Sequence, residues 1–153
     1  MPLIHLGIEH KEAIASLEAA LFERPFTPAS LASLFAGKAF AGFALIDDSD
    51  EPHNADMLSY ILLRQVCDEA EILSLGTARA HQGKGHARQL LTATCEMLLQ
   101  TGICRIHLDV AALNEAALAL YSGCGFEESG RRAGYYGTAP HRQDAIIMSK
   151  PLK

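Results

Sequence analysis

The hydrophobic pattern changes period several times along the chain. Residues 10–22, HKEAIASLEAALF, carry Ile14, Leu17, Ala20 and Leu21 at three- and four-residue intervals. That spacing predicts a helix with one apolar stripe, and Pro25 ends it. Thr27 followed by Pro28 reads as an N-cap and a first-turn proline, opening a helix to about Phe35 that Gly37 stops. The runs 38–46 (KAFAGFALI) and 57–66 (MLSYILLRQV) predict two strands around the polar turn 47–56, an antiparallel hairpin. Asp68-Glu69 turns the chain into a third strand over 71–77. A helix is expected from about Gly85 to Gln100, with Ala87, Leu90, Leu91, Thr94 and Leu98 as its apolar stripe and Gly102 as its stop. Strand 103–110, a helix capped by Asn114 and ending near Gly123, and strands 126–136 and 144–152 complete the chain. The order ααβββαβαββ predicts an α+β fold with helices covering a central mixed sheet.

Composition narrows the function. The chain has 153 residues, about half of them apolar, which predicts one domain over 1–153 with a substantial core. A net charge of −5 argues against nucleic-acid binding, so any anion site must be local. No apolar run reaches the roughly 18–20 residues that span a bilayer, and the first 25 residues lack a basic segment followed by an apolar block, so neither membrane nor signal peptide is expected. Cys67, Cys95, Cys104 and Cys124 form no CxxC or zinc pattern. They read as reduced thiols of a cytoplasmic protein with no metal. His81, His107 and His141 likewise show no ligand or triad spacing, and His107, between Ile106 and Leu108, reads as structural.

The stretch QGKGHARQLL (82–91) carries the chemistry. A phosphate-loop NTPase needs a glycine five residues before Gly83 and Ser or Thr after Lys84, and a dinucleotide fingerprint needs glycine at 88; the chain has Ala78, Gly85 and Arg88 there. Strand, then Q-x-x-G-x-[GA], then helix is satisfied by Gln82, Gly85 and Ala87. The first turn of a helix offers free backbone N–H groups and a positive dipole end. Small residues let a diphosphate approach them, and Lys84, His86 and Arg88 add positive charge.

With this loop, the segments DEAEILSLGT, HLDVAALNEAALALYSGCGFEE, GRRAGYY and QDAIIM resemble the GNAT superfamily of N-acetyltransferases, and within it the ribosomal-protein-alanine N-acetyltransferases of the RimI type. The resemblance is clear over 57–152 and looser over 20–31, where Pro25-Phe26-Thr27 stands for the Pro-Trp-Ser common in that branch.

The resemblance implies a GNAT fold of about six to seven strands and about four helices. It implies that acetyl-CoA, with no metal, lies where strands 71–77 and 103–110 splay apart. The pantetheine arm then pairs with Leu75, Gly76 and Thr77. The diphosphate sits on the loop of Gln82, Gly83, Lys84, Gly85, His86, Ala87 and Arg88. Tyr121 is implied as the acid that protonates the departing thiolate, and Asn114, seven residues earlier, as a cofactor contact. The expected base is Asp109, in Leu108-Asp109-Val110, where the RimI type has Glu; Glu71 on the neighbouring strand is a second candidate, acting through water. The segment 131–145 is expected to form the acceptor lip, with Tyr135 or Tyr136 facing the cleft by strand alternation.

The implied reaction is acetyl transfer to a primary amine, foremost the N-terminal alanine of a small-subunit ribosomal protein. A lysine or small-molecule acceptor, and a catalytically silent acyl-CoA-binding module, are the competing readings.

Overall fold

The computed structural model describes residues 3–47, 56–137 and 142–152; most of the polar turn expected over 47–56, together with His141, lies outside them. Strands β1 (Leu3–His5), β2 (Phe40–Ile46), β3 (Met57–Val66), β4 (Glu69–Thr77), β5 (Arg105–Ala111), β6 (Glu127–Tyr136) and β7 (Gln143–Pro151) alternate with helices α1 (Lys11–Leu21), α2 (Pro28–Ala36), α3 (His86–Gln100) and α4 (Glu115–Gly123). The strands form one mixed sheet in the order β1-β2-β3-β4-β5-β7-β6. Only β4 and β5 run parallel; every other neighbouring pair is antiparallel.

The predicted elements are present with shifted ends, and β1 adds to them. Three residues are too few to display a period of two, and β1 is an edge strand paired only with β2. The turn before β4 moves back to Cys67, which takes the left-handed conformation (φ 58°). Of the stripe expected on α1, Ile14 is buried and Leu17 and Leu21 pack against the core, whereas Ala20 is exposed and Ala15 and Glu18 are buried in addition.

The sheet is apolar on both faces. Ile61, Leu63, Ile72, Ile106, Leu108 and Met148 pack with Leu90, Leu91 and Leu98 of α3. Tyr60, Leu62 and Ala44 point the other way, into a smaller cluster with Ile14 of α1 and Leu31 of α2. Register assigns the remaining residues by alternation. Tyr60 and Leu62 face the α1–α2 side, so Arg64 and its partner Glu71 do too. Glu71 is opposite His107, which places His107 and Asp109 on that same face.

Two features shape the functional region. First, β4 pairs with β5 only from Glu69↔Arg105 to Ile72↔Leu108, after which the two strands separate. On its other side β4 stays paired with β3, but Leu62↔Ser74 and Leu63↔Ile72 leave Leu73 as an extra residue. A bulge bends and twists its strand, and this one sits where β4 parts from β5.

Second, both helices on the far face end in the same glycine cap. After α3, Gly102 (φ 89°) donates to Leu99 O and Ile103 to Leu98 O. After α4, Gly125 (φ 92°) donates to Ser122 O and Phe126 N–H to Tyr121 O at 3.0 Å. These are Schellman motifs. In the second, the customary apolar contact is Tyr121 against Phe126, edge to face with ring centres 5.5 Å apart. Lys150 Nζ donates to Cys124 O at 2.7 Å and closes the same end.

Replacing Gly125 by Ala is expected to lower the unfolding free energy by about 1–2 kcal/mol, the cost of a left-handed Cβ, read as a reduced urea midpoint at unchanged slope. Space is not the issue, since a Cβ there meets nothing closer than Lys150 Cε at 3.4 Å.

Candidate active site

The separation of β4 from β5 leaves backbone groups inside the sheet without a strand partner. Ala78 N–H donates to Leu58 O. Alternation then aims the amide and carbonyl of Gly76 at β3, and those of Leu75 and Thr77 into the gap. Thr77 O accepts from Gln82 Nε2 at 3.1 Å, which ties the start of the glycine loop to the end of the strand. Gly76 has a separate reason to be glycine. A Cβ there would lie 2.7 Å from the Tyr60 hydroxyl and 2.8 Å from its ring.

Beyond β4, a 3-10 turn (Arg79–His81) leads into the loop. Gly83 (φ 77°) and Gly85 (φ 84°) are both left-handed, and Gly85 is the N-cap of α3. No side chain caps this helix, so its first-turn N–H groups remain available, and around both glycines the space is open. The three basic residues of the loop differ in placement. Lys84 is exposed. His86 is only 6 % exposed, its ring 6.3 Å from that of His81, so its backbone N–H rather than its imidazole serves the loop. Arg88 is exposed and its guanidinium lies along Gly123 at the end of α4, in the space a Cβ there would take. Ala87 is half-buried beside it. Arg79, which the sequence did not single out, donates twice to Ala20 O, at 2.6 and 3.2 Å, and fastens the loop to the end of α1.

On α4, Asn114 Oδ1 accepts from Ala117 N–H at 3.2 Å and caps the helix. Tyr121, two turns later, is 7 % exposed. Burial raises its phenol above the ordinary tyrosine value, helped by Cys124 and Tyr136 nearby. It is therefore a protonated donor at any working pH. Asp109 is half-buried on β5, one residue beyond the last β4–β5 pair and on the opposite face of the sheet from the α3 core. Tyr136 connects the two. Its phenol is raised first by burial and then by the Asp109 carboxylate.

Tyr135 and Tyr136 do not alternate across β6 as expected. Gly134 is left-handed (φ 61°), and the register with β7 slips between Arg132 and Tyr136. The two rings instead meet edge to face at 5.0 Å, with Arg132 5.3 Å above Tyr135. Glu71 carries an ion pair. Its carboxylate pairs with Arg64 at 2.8 Å, beside the still-paired part of β5.

Glu18 is the residue that periodicity missed. It falls four after Ile14, within the helical stripe, but a carboxylate adds nothing to an apolar period. In the structure it is 2 % exposed. Its Oε2 accepts from Ser74 Oγ at 2.6 Å and from the Tyr60 hydroxyl, and its Oε1 from Phe26 N–H at 3.1 Å.

A free strand edge next to an amide-rich, positively φ-turned helix start fits a ligand with an amide-bearing arm and a diphosphate. Residues 9–126 match the acetyltransferase (GNAT) family. The chain belongs to that family. This GNAT chain is 36 % identical over 99 residues to the [ribosomal protein bS18]-alanine N-acetyltransferase of Escherichia coli K12, covering 65 % of this chain and 67 % of that protein. Over 57 residues it is 42 % identical to the mycothiol acetyltransferase of Kocuria rhizophila, 37 % of this chain and 19 % of that one. The crystal structure of the E. coli ribosomal-protein-S18-alanine N-acetyltransferase superposes with a TM-score of 0.89 at 29 % identity, covering 99 % and 94 % of the two chains. Arabidopsis thaliana NAA60 in complex with acetyl-CoA shares the fold, with a TM-score of 0.84 at 15 % identity over 99 % and 98 %. The chain is an N-acetyltransferase that uses acetyl-CoA. Among the described residues there is no cluster of metal ligands, and no helix is long and apolar enough to cross a membrane.

A phenol raised on folding stabilises the native state fully below the unfolded value near 10, and loses that contribution as pH rises towards the folded value. Tyr60, Tyr121 and Tyr136 are all raised. Urea midpoints are therefore expected to hold their tyrosine contribution up to about pH 10 and to fall above it, with a shallower fall in Tyr121→Phe.

Proposed function

We propose that this enzyme acetylates the N-terminal α-amine of a protein, with alanine first and a small-subunit ribosomal protein as acceptor, in the cytoplasm. The observation that carries the reading is the opening of β4 from β5 one residue before Asp109, beside the glycine loop, in a chain 36 % identical to an enzyme named for that reaction.

Acetyl-CoA supplies the acetyl group as a thioester. The backbone of Leu75, Gly76 and Thr77 and the loop from Gln82 through Gly83, Lys84, Gly85, His86 and Ala87 to Arg88 hold it, and Asn114 borders it. The lone pair of the neutral acceptor amine forms the N–C bond at the thioester carbonyl, and Asp109, directly or through one water, takes the proton that the nitrogen then sheds. Tyr121 donates its hydroxyl proton to the sulfur as the C–S bond breaks. One N–H and one C–S bond are lost, one C–N and one S–H bond form, and the proton taken by Asp109 returns through water to the Tyr121 phenolate, which restores both groups. Tyr135 and Tyr136 line the acceptor side. The Arg64 ion pair leaves Glu71 as the weaker candidate for the base.

The acceptor class follows from the strength of base required. An α-amine with a pKa of about 7.7–8.0 is already roughly a tenth to a sixth neutral at pH 7, whereas a lysine near 10.4 is neutral in only about one part in 2,500. Aspartate, one methylene shorter than the glutamate of the RimI type, suffices for the first more readily than for the second.

Tyr121→Phe is expected to lower kcat by about 10²–10⁴-fold, the usual contribution of a general acid, with acetyl-CoA binding retained by calorimetry. Parent enzyme given alanine-first peptides, N-blocked peptides and polyamines should release free thiol with the first alone. Turnover confined to polyamines would defeat the peptide reading.

A further inference from the structure

The mechanism above does not use Glu18, yet its placement is costly. A carboxylate shielded from water is tolerated when charge-assisted hydrogen bonds or a cation compensate it. Among the described residues Glu18 forms no ion pair. Its compensation is three neutral donors: Ser74 Oγ, the Tyr60 hydroxyl and Phe26 N–H. These come from three segments: the bulged part of β4, the middle of β3, and the connection between α1 and α2.

Ser74 is the member that borders the gap. It follows the Leu73 bulge, past the last residue of β4 paired with β5, and is half-buried. Register puts it on the α1–α2 face, the face that also carries Asp109 on the far side of the opening. A serine hydroxyl has one proton and two lone pairs. Here the proton is committed to Glu18 at 2.6 Å, so what remains for the gap is an oxygen able only to accept.

We propose that Ser74 Oγ accepts a hydrogen bond from the N–H of the acceptor amine, and that Glu18 is the positioning residue that orients it. The inference rests on the amine-acetylation reading above. The buried charge is what fixes the polarity of the chain amine–Ser74–Glu18. In Glu18→Gln the amide can keep its oxygen on Phe26 N–H, but its nitrogen then donates to Ser74. The serine must turn its own proton towards the gap, where an arriving N–H finds a donor in place of an acceptor.

The test is steady-state kinetics of Glu18→Gln, Ser74→Ala, Ser74→Thr and the double variant combining Glu18→Gln with Ser74→Ala, using an alanine-first peptide and acetyl-CoA. Loss of one hydrogen bond to a charged partner network is worth about tenfold. Glu18→Gln and Ser74→Ala are each expected to raise the peptide KM by about that factor, with kcat and the acetyl-CoA KM moving less than about twofold. Threonine restores the hydroxyl and brings the peptide KM back. The double variant is no worse than either single one, because both substitutions break the same chain. Should Glu18→Gln fail to fold, Ser74→Ala and its threonine rescue carry the test alone. An unchanged peptide KM in Ser74→Ala, a loss confined to kcat or to acetyl-CoA, or multiplicative singles would overturn the proposal. If the parent turns over no amine, the acceptor reading falls with it; normal parent turnover with an unmoved KM sinks only the Ser74–Glu18 chain.

Discussion

Everything in this enzyme depends on a pair of parallel strands that stop bonding part-way. Polar backbone groups in a folded interior are nearly always satisfied. β4 and β5 satisfy each other for four registered pairs and then diverge at Ile72 and Leu108. The extra residue at Leu73 makes the divergence possible without loosening the rest, because β3 still holds β4 along its other edge. The sheet thus carries an internal edge at Leu75 and Thr77, protected from edge-to-edge association by its depth in the fold. On the proposed reading, an amide-bearing ligand restores the missing ladder, and the glycine loop at the end of the same strand receives the charged end of that ligand.

Tyr121, the proposed acid, is set by the termination of its element rather than by the middle of one. Tyr121 is the residue whose carbonyl the α4 cap engages, and its ring rests on the residue that closes that cap. The same Gly-x-Gly-Phe run that stops the helix therefore holds the phenol. Arg88 lies along Gly123, so the start of α3 and the end of α4 are in contact, and the loop and Tyr121 are registered against each other without any intervening segment.

The sequence disclosed elements whose signals are local. Thr27-Pro28, Gly102 and Asn114 act as read: Thr27 and Ser30 form a capping box, Gly102 is the left-handed residue of a Schellman motif, and Asn114 caps α4. The glycine loop was legible for the same reason, since positive φ leaves its mark as glycine. What was hidden depends on pairing across distance. The Leu73 bulge exists only relative to β3, the adjacency of the Tyr135 and Tyr136 rings only because Gly134 breaks the alternation, and the ion pair of Glu71 only through Arg64 opposite it. Glu18 shows the limit most plainly. Its position in the helical stripe was visible, but three donors from distant segments were needed to make a buried charge tolerable there.

Asp109 and Tyr121 approach the opening from opposite faces of one sheet. On the proposed reading, the two reactants therefore reach each other through a window, each from its own side. Neither has to leave before the other can dock, so the fold itself demands no covalent way-station on the enzyme. Spent coenzyme and finished polypeptide can depart in either sequence. A traffic pattern of that kind suits an acceptor whose bulk, extending outward from its first residue, would otherwise have to thread past a nucleotide.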